Sequence, residues 1–202
     1  MTPVSTWGAI AFGYHIASRL AYVLGVGGML RREERRGAFS RRYGIEPGWL
    51  RFRRIASLIM NNDGASFVVL CLVTGGTLGT GLPRSAELAA GALLAATGVG
   101  IKLWAAARLG GKAYYWHNFF DPSDSIVVDP PGPYRYFRNP MYTLGYLQTY
   151  GLALMFGSLP ALVAGAFDQA AILAFYHVVE KPHFMALRRR RGPPVAAEEA
   201  IR

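Results

Sequence analysis

Five blocks of apolar residues, roughly 9–30, 65–82, 86–107, 141–158 and 160–179, alternate with arginine-rich or turn-forming stretches. Each block is close to the ~20 residues that carry an α-helix across ~30 Å of hydrocarbon. Most lack the polar stripe that a water-soluble helix shows along its length. The pattern predicts an all-α integral membrane protein of about five transmembrane helices, in preference to a soluble helical bundle. Glycines inside the blocks, among them Gly25, Gly75, Gly91, Gly98, Gly100, Gly145 and Gly151, suit close helix packing in lipid. The second block is the weakest, with Thr74, Thr77 and Thr80 among glycines, and is expected to be tilted or broken. Asn61-Asn62-Asp63-Gly64 reads as a break that caps its start. Gly157-Ser158-Leu159-Pro160 leaves room only for a tight turn, so the last two blocks are expected to form an antiparallel hairpin. That hairpin would bring Tyr142 beside Glu180.

Charge adds an orientation. The chain has 22 Lys and Arg against 12 Asp and Glu, for a net charge of +10. Nine arginines fall between 31 and 54, four cations between 108 and 138, and six after 180. With five spans these groups share one side, and the opposite side keeps only Arg84. By the positive-inside rule the N-terminus lies outside and the C-terminus in the cytosol. The charge then reflects topology and attraction to anionic lipid headgroups. It does not point to nucleic acid, which would call for cations gathered on one soluble module. Met1-Thr2-Pro3-Val4-Ser5 lacks a basic n-region, so no cleavable signal peptide is expected. Cys71 is the single cysteine, which rules out an internal disulfide or a cysteine metal cluster; no metal site is expected.

Several polar groups stand out against this background. His15 and Arg19, four residues apart in the first block with Tyr22 nearby, favour snorkelling or pairing between helices over catalysis. Trp49-Leu50-Arg51-Phe52-Arg53-Arg54-Ile55 reads as an interfacial amphipathic segment within a polar 31–54 loop. The aromatic run Tyr114 to Asp121 would lie either in the headgroup belt or as a lid over a cofactor. Most informative is Gly132-Pro133-Tyr134-Arg135-Tyr136-Phe137-Arg138-Asn139-Pro140-Met141-Tyr142 at the mouth of one apolar block, with Glu180-Lys181-Pro182-His183 closing the next. Two membrane helices meeting water there would form a polar, ion-bearing pocket.

At these residues the chain resembles the membrane methyltransferases that include the isoprenylcysteine carboxyl methyltransferases and the phospholipid N-methyltransferases. Their Gly-x-Tyr-x-x-x-Arg-His-Pro-x-Tyr pattern is matched by Gly132, Tyr134, Arg138, Pro140 and Tyr142. The closer resemblance is to phosphatidylethanolamine methyltransferases of the fungal type. It rests on Tyr115-Trp116-His117-Asn118-Phe119-Phe120, Pro140-Met141-Tyr142-Thr143-Leu144-Gly145-Tyr146 and Val179-Glu180-Lys181-Pro182-His183, and covers roughly 95–185. Asn139 stands where the family usually has His, and an amide cannot titrate. Val179 stands in place of the first Glu of a pair, and Tyr176 where a prenylcysteine enzyme would have arginine, which argues against a carboxylate acceptor.

The resemblance implies S-adenosylmethionine bound on the cytosolic side, in a pocket closed by the hairpin, and methylation of the amine of phosphatidylethanolamine or its methylated forms. It implies a single domain, 1–202: N-terminal spans and basic loop over 1–94, a catalytic core over 95–185 and a basic tail over 186–202. Glu180, His183 and Tyr142 are the expected catalytic residues. Cofactor contacts are expected from Gly98, Gly100, Ser125, Ile126, Val127, Val128, Tyr134, Asn139, Pro140, Met141, Tyr142 and Glu180. Arg135, Arg138, Trp116 and His117 are expected to face the phospholipid substrate. His183, His117 and Asp124 are the candidate bases for the amine. Two alternatives remain open: another membrane-embedded acceptor, such as a prenylcysteine or isoprenoid, and a nicotinamide-dependent enzyme like the sterol reductases.

Overall fold

The computed structural model describes residues 5–123, 137 and 139–191, with side chains through residue 189, and the described residues hold helices and turns but no strand. Helix α1 (Thr6–Leu20) starts at Ser5, whose hydroxyl accepts from the Gly8 amide at 3.1 Å. It continues through a π segment (Ala21–Val26) into α2 (Gly27–Arg36), and Gly37, at φ 59°, ends the rod in the left-handed conformation. A short α3 (Ser40–Tyr43) leads to α4 (Ile45–Val73). Helix α5 (Arg84–Tyr114) bends at Gly110 and is followed by a 3-10 turn at His117–Phe119. A second 3-10 turn (Leu144–Tyr146) opens α6 (Leu147–Phe156). Helix α7 (Leu159–Phe175), capped by Ser158, runs through a π segment (Tyr176–Glu180) into α8 (Lys181–Arg191).

Four rods are long and apolar enough to cross a membrane: Thr6–Arg36, Ile45–Val73, Arg84–Phe119 and Leu159–Arg189. The expected fourth block is not a fifth such rod. Its α6 has ten residues, about 15 Å at 1.5 Å per residue. The second span is also misplaced by the pattern. It is Ile45–Val73, not 65–82, and passes unbroken through Asn61-Asn62-Asp63-Gly64. They cap no helix start, and two of them reach across to α1. Asn62 donates to the Ser18 hydroxyl and accepts from the Tyr14 hydroxyl, both at 2.7 Å, and Asp63 meets Arg19 at 2.6 Å. The threonines expected inside that span lie past its end and join two turns. Thr74 and Ser158 share a hydrogen bond of 2.6 Å, and the Leu159 amide donates to Thr77 at 3.1 Å.

A polar cluster links α1, α4 and α7 inside the bundle. Arg19 donates from Nε and Nη2 to the two Asp168 oxygens at 2.9 and 3.1 Å, and from Nη1 to the Tyr146 hydroxyl at 3.2 Å. His15 lies 3.0 Å from Asp168 through Nε2 and 2.8 Å from the Ser66 hydroxyl through Nδ1. The Ser66 hydroxyl donates to the Asp63 carbonyl, so both imidazole nitrogens face acceptors. Lys102 reaches in from α5, with its ammonium 4.9 Å from the centre of the Tyr146 ring. The pairing between helices expected of His15 and Arg19 is therefore present. Its acidic partners are what the apolar pattern concealed.

Helices α5 and α6 touch backbone to backbone. A Cβ on Gly98 would fall 2.2 Å from the Gln148 nitrogen, and one on Gly151 2.4 Å from the Ala95 nitrogen. A Cβ on Gly100 would meet nothing within 4 Å. Gly98→Ala should therefore push the helices apart and destabilise the fold by at least ~1–3 kcal/mol, the usual scale of overpacking. Gly100→Ala should be neutral. Thermal unfolding in detergent, followed by tryptophan fluorescence, compares the two. Equal melting temperatures would show that this contact is not tight.

Candidate active site

The two ends of the bundle differ in chemistry. At one end Arg84 donates to Glu87 at 2.9 Å and to the Met155 carbonyl, and Gly76 donates to the Phe156 carbonyl at 3.1 Å, which closes the connecting turns. The opposite end carries the arginines of α2 to α4, the turn after α5 and the α7–α8 junction. There an aromatic core of Tyr22, Trp49, Phe52, Trp116, Phe119, Phe120 and Phe175 is buried. Trp49, Phe52 and Ala56 face inward while Arg51, Arg53 and Arg54 are exposed, so the expected amphipathic segment is the first part of α4.

The aromatic run after α5 does not lie in a lipid belt. Trp116 is 4% exposed, and Phe119 and Phe120 are equally buried, so the run packs inward. Trp116 holds a left-handed backbone (φ 52°), unusual for so bulky a residue. Its indole N–H donates to Glu180 Oε1 at 2.6 Å, and the Tyr142 hydroxyl donates to the same oxygen at 2.7 Å. Glu180 is 6% exposed. No described side chain donates to its Oε2, so one oxygen serves the protein and the other is left for a donor from elsewhere. The π segment that ends at Glu180 is met by the start of α2, where a Cβ on Gly27 would touch Val179 and Phe175 at 3.2–3.3 Å. Arg31 donates to the Val178 carbonyl at 2.8 Å and occupies an acceptor within the π segment.

His183 lies three residues beyond Glu180. It stacks on Phe119 with ring centres 3.6 Å apart, and its Nδ1 is 2.8 Å from Glu34 Oε1. His117 Nε2 is 3.0 Å from Glu46, which also lies 3.5 Å from Lys112. The Trp49 ring meets His117 edge-on, and its N–H donates to the Tyr115 carbonyl at 3.0 Å. Asp121 accepts from the Ser123 hydroxyl and amide, and those bonds hold its carboxyl below the usual range.

The expected site residues thus separate into four sets. Tyr142, Glu180, Trp116 and His183 form one cluster, with His117 in the same aromatic turn. The Asn139 carbonyl accepts from the Tyr142 and Thr143 amides, and the buried Pro140 carbonyl from Gly145, so these residues and Met141 shape the turn that delivers Tyr142. Gly98 is packed against α6 and Gly100 borders open space. Ser125, Ile126, Val127, Val128, Tyr134, Arg135, Arg138 and the candidate base Asp124 lie outside the described residues. Glu34 and Glu46 join this end without a motif to mark them, and their only signal in the sequence is that each is one of few acids in a basic stretch. Asp168 carries a plainer signal, a lone carboxylate inside an apolar block.

The fold and this cluster define an integral membrane protein with a buried carboxylate, held by aromatic donors, at its arginine-rich end. Residues 86–187, about half of the chain, match the phospholipid methyltransferase family. The chain belongs to that family. Among its relatives are proteins named phosphatidylethanolamine N-methyltransferase from three fungi. The one from Clavispora lusitaniae is 30% identical over 72% of this chain and 18% of its own length. For Pyricularia oryzae the figures are 32%, 72% and 15%, and for Paracoccidioides brasiliensis 34%, 76% and 16%. The chain therefore spans less than a fifth of the length of these relatives. No solved structure matches it.

Proposed function

We propose that this protein is an S-adenosylmethionine-dependent methyltransferase for the amine of phosphatidylethanolamine or its partly methylated forms. The site would face the cytosol, where the arginine-rich end meets anionic headgroups, with the N-terminus outside. The observation that carries this reading is Glu180, whose Oε1 is committed to Trp116 and Tyr142 while its Oε2 has no donor among the described residues. The names of the fungal relatives support the acceptor.

The donor set fits such a cofactor. A buried carboxylate with one oxygen to spare suits a ribose hydroxyl or an ammonium group, which are the donors S-adenosylmethionine carries. When bound, the cofactor supplies a methyl group on a sulfonium. The chain's residues hold and shield. Trp116 and Tyr142 lock the Glu180 carboxylate so that its second oxygen has one orientation. The aromatic core around Trp116, Phe119 and Phe175 excludes water from the acceptor amine, which has to lose its proton before it attacks. Gly98, Gly100, Asn139, Pro140 and Met141, together with Ser125–Val128 and Tyr134, complete the proposed cofactor site, and Arg135, Arg138, Trp116 and His117 face the lipid phosphate and amine. Most of the acceleration then comes from positioning two reactants.

The test is methyl transfer from radiolabelled S-adenosylmethionine to extracted lipid, using membranes that contain this protein. Label in the monomethyl phospholipid is expected. Label that appears only further along the series would shift the acceptor to pre-methylated lipid. Cofactor binding without labelled phospholipid would transfer the case to a prenylcysteine or isoprenoid acceptor. No cofactor binding would sink the methyltransferase reading, and hydride transfer from a nicotinamide would replace it.

A further inference from the structure

We propose that Glu34, on the first membrane rod, is a positioning residue that fixes His183 as the proton acceptor for the substrate amine. The inference rests on the methyltransferase reading above. His183 Nδ1 lies 2.8 Å from Glu34 Oε1, and a carboxylate can only accept, so Nδ1 carries a proton and the neutral tautomer held this way has its lone pair on Nε2. Nε2 is buried, and no described group hydrogen-bonds to it. A buried nitrogen without a partner is unfavourable unless something else uses it.

The surroundings hold this ring in place. Phe119 stacks on it nearly parallel, at 14° between planes. Glu180 and His183 are three residues apart on one helical path, so they project to the same side. Trp116 and Phe119, three apart in the aromatic turn, meet them in register: Trp116 bonds Glu180 while Phe119 stacks on His183. The imidazole therefore sits beside the carboxylate assigned to the cofactor. Glu34 is itself anchored, because its neighbour Glu33 accepts from the Phe39 and Ser40 amides at 2.6 and 3.2 Å and fixes the end of α2.

The other charged groups facing this ring are committed elsewhere. Arg31 on α2 donates to the Val178 carbonyl, His117 in the aromatic turn meets Glu46, and Glu180 on the same rod accepts from Trp116 and Tyr142. Lys181, the next residue, is exposed. Glu34 is the one described carboxylate that meets the imidazole. In the step itself, an N–H bond of the lipid ammonium breaks and an Nε2–H bond forms, giving a neutral amine and an imidazolium paired with Glu34. The amine lone pair then forms the new N–CH3 bond as the methyl–sulfur bond breaks, with its electron pair going to sulfur. The imidazolium proton leaves to water, which restores the dyad.

The experiment compares wild type, Glu34→Gln and His183→Asn for methyl transfer across pH, for S-adenosylmethionine binding, and for the tautomer of His183 by 15N NMR. The ring is assigned against His183→Asn, since the chain has four histidines. The dyad predicts an Nδ1–H tautomer in wild type and mixed tautomers in Glu34→Gln. It predicts a loss of about 10²-fold for His183→Asn at neutral pH, the lower end for general-base catalysis, and about tenfold for Glu34→Gln. Both losses should shrink as pH rises and the amine deprotonates unaided, while cofactor binding stays unchanged. A loss that is flat across pH, or a wild-type His183 protonated on Nε2, overturns the dyad and leaves Glu34 as a helix pin. Wild-type protein that binds cofactor but methylates no lipid overturns the functional reading, and the base role with it, whatever the tautomer.

Discussion

Replacing Asp168 with alanine is expected to destabilise the protein by about 3–5 kcal/mol, the range for removing one partner of a buried charge pair. Asp168 is 1% exposed and accepts from His15 and twice from Arg19. Without it, Arg19 keeps Asp63 and Tyr146 as polar partners, and His15 keeps Ser66. The substitution removes one of the two carboxylates that face Arg19 inside a membrane bundle. Asp168→Asn should cost less, because the amide oxygen still accepts one bond. An apolar replacement of the whole set, with Arg19→Met, His15→Leu and Asp168→Leu combined, should fall closer to wild type than Asp168→Ala does. Thermal unfolding in lipid nanodiscs measures the series. A single alanine variant within ~0.5 kcal/mol of wild type, the scale of a surface change, would mean that the cluster does not hold α1, α4 and α7 together.

The second large effect falls on activity. Glu180→Gln retains an oxygen that can accept from Trp116 and Tyr142, so the fold should survive. It removes the charge that strengthens any bond made to the second oxygen, which is worth about 1.5–3 kcal/mol for a charged hydrogen bond. Methyl transfer should fall about 10²-fold, mostly as a raised KM for the cofactor. Tyr142→Phe removes one of the two donors that orient the carboxylate and should cost less, about tenfold. Steady-state kinetics with cofactor varied at saturating lipid separates KM from kcat. Unchanged constants for Glu180→Gln would remove Glu180 from the cofactor site.

Several features of this arrangement were legible in the chain before any coordinates. Tyr142 and Glu180 are 38 residues apart, yet the turn signal at Gly157–Pro160 pointed to their meeting, and the two side chains bond at 2.7 Å. The aromatic run was legible as chemistry but not as position. Its polarity suggested a surface loop, whereas Trp116, Phe119 and Phe120 turn inward because the α4 start and the α7–α8 junction offer them aromatic neighbours. The span through residues 45–73 was misjudged for a related reason. Hydropathy scores Asn61, Asn62 and Asp63 as a polar break, and only the neighbouring helix reveals that Asn62 and Asp63 meet partners on α1.

By itself the sequence determined what depends on local composition: the helical class, the membrane as its setting, the arginine-rich end and the motifs that mark the family. These follow from hydrophobic length and charge, which are additive along the chain. The tertiary structure alone decided which ionisable groups meet. Glu34 with His183, Glu46 with His117 and Arg19 with Asp168 are separated by 149, 71 and 149 residues. A hydrogen bond depends on distances of a few tenths of an ångström, and those arise from how rods pack. No periodicity within any one rod encodes them.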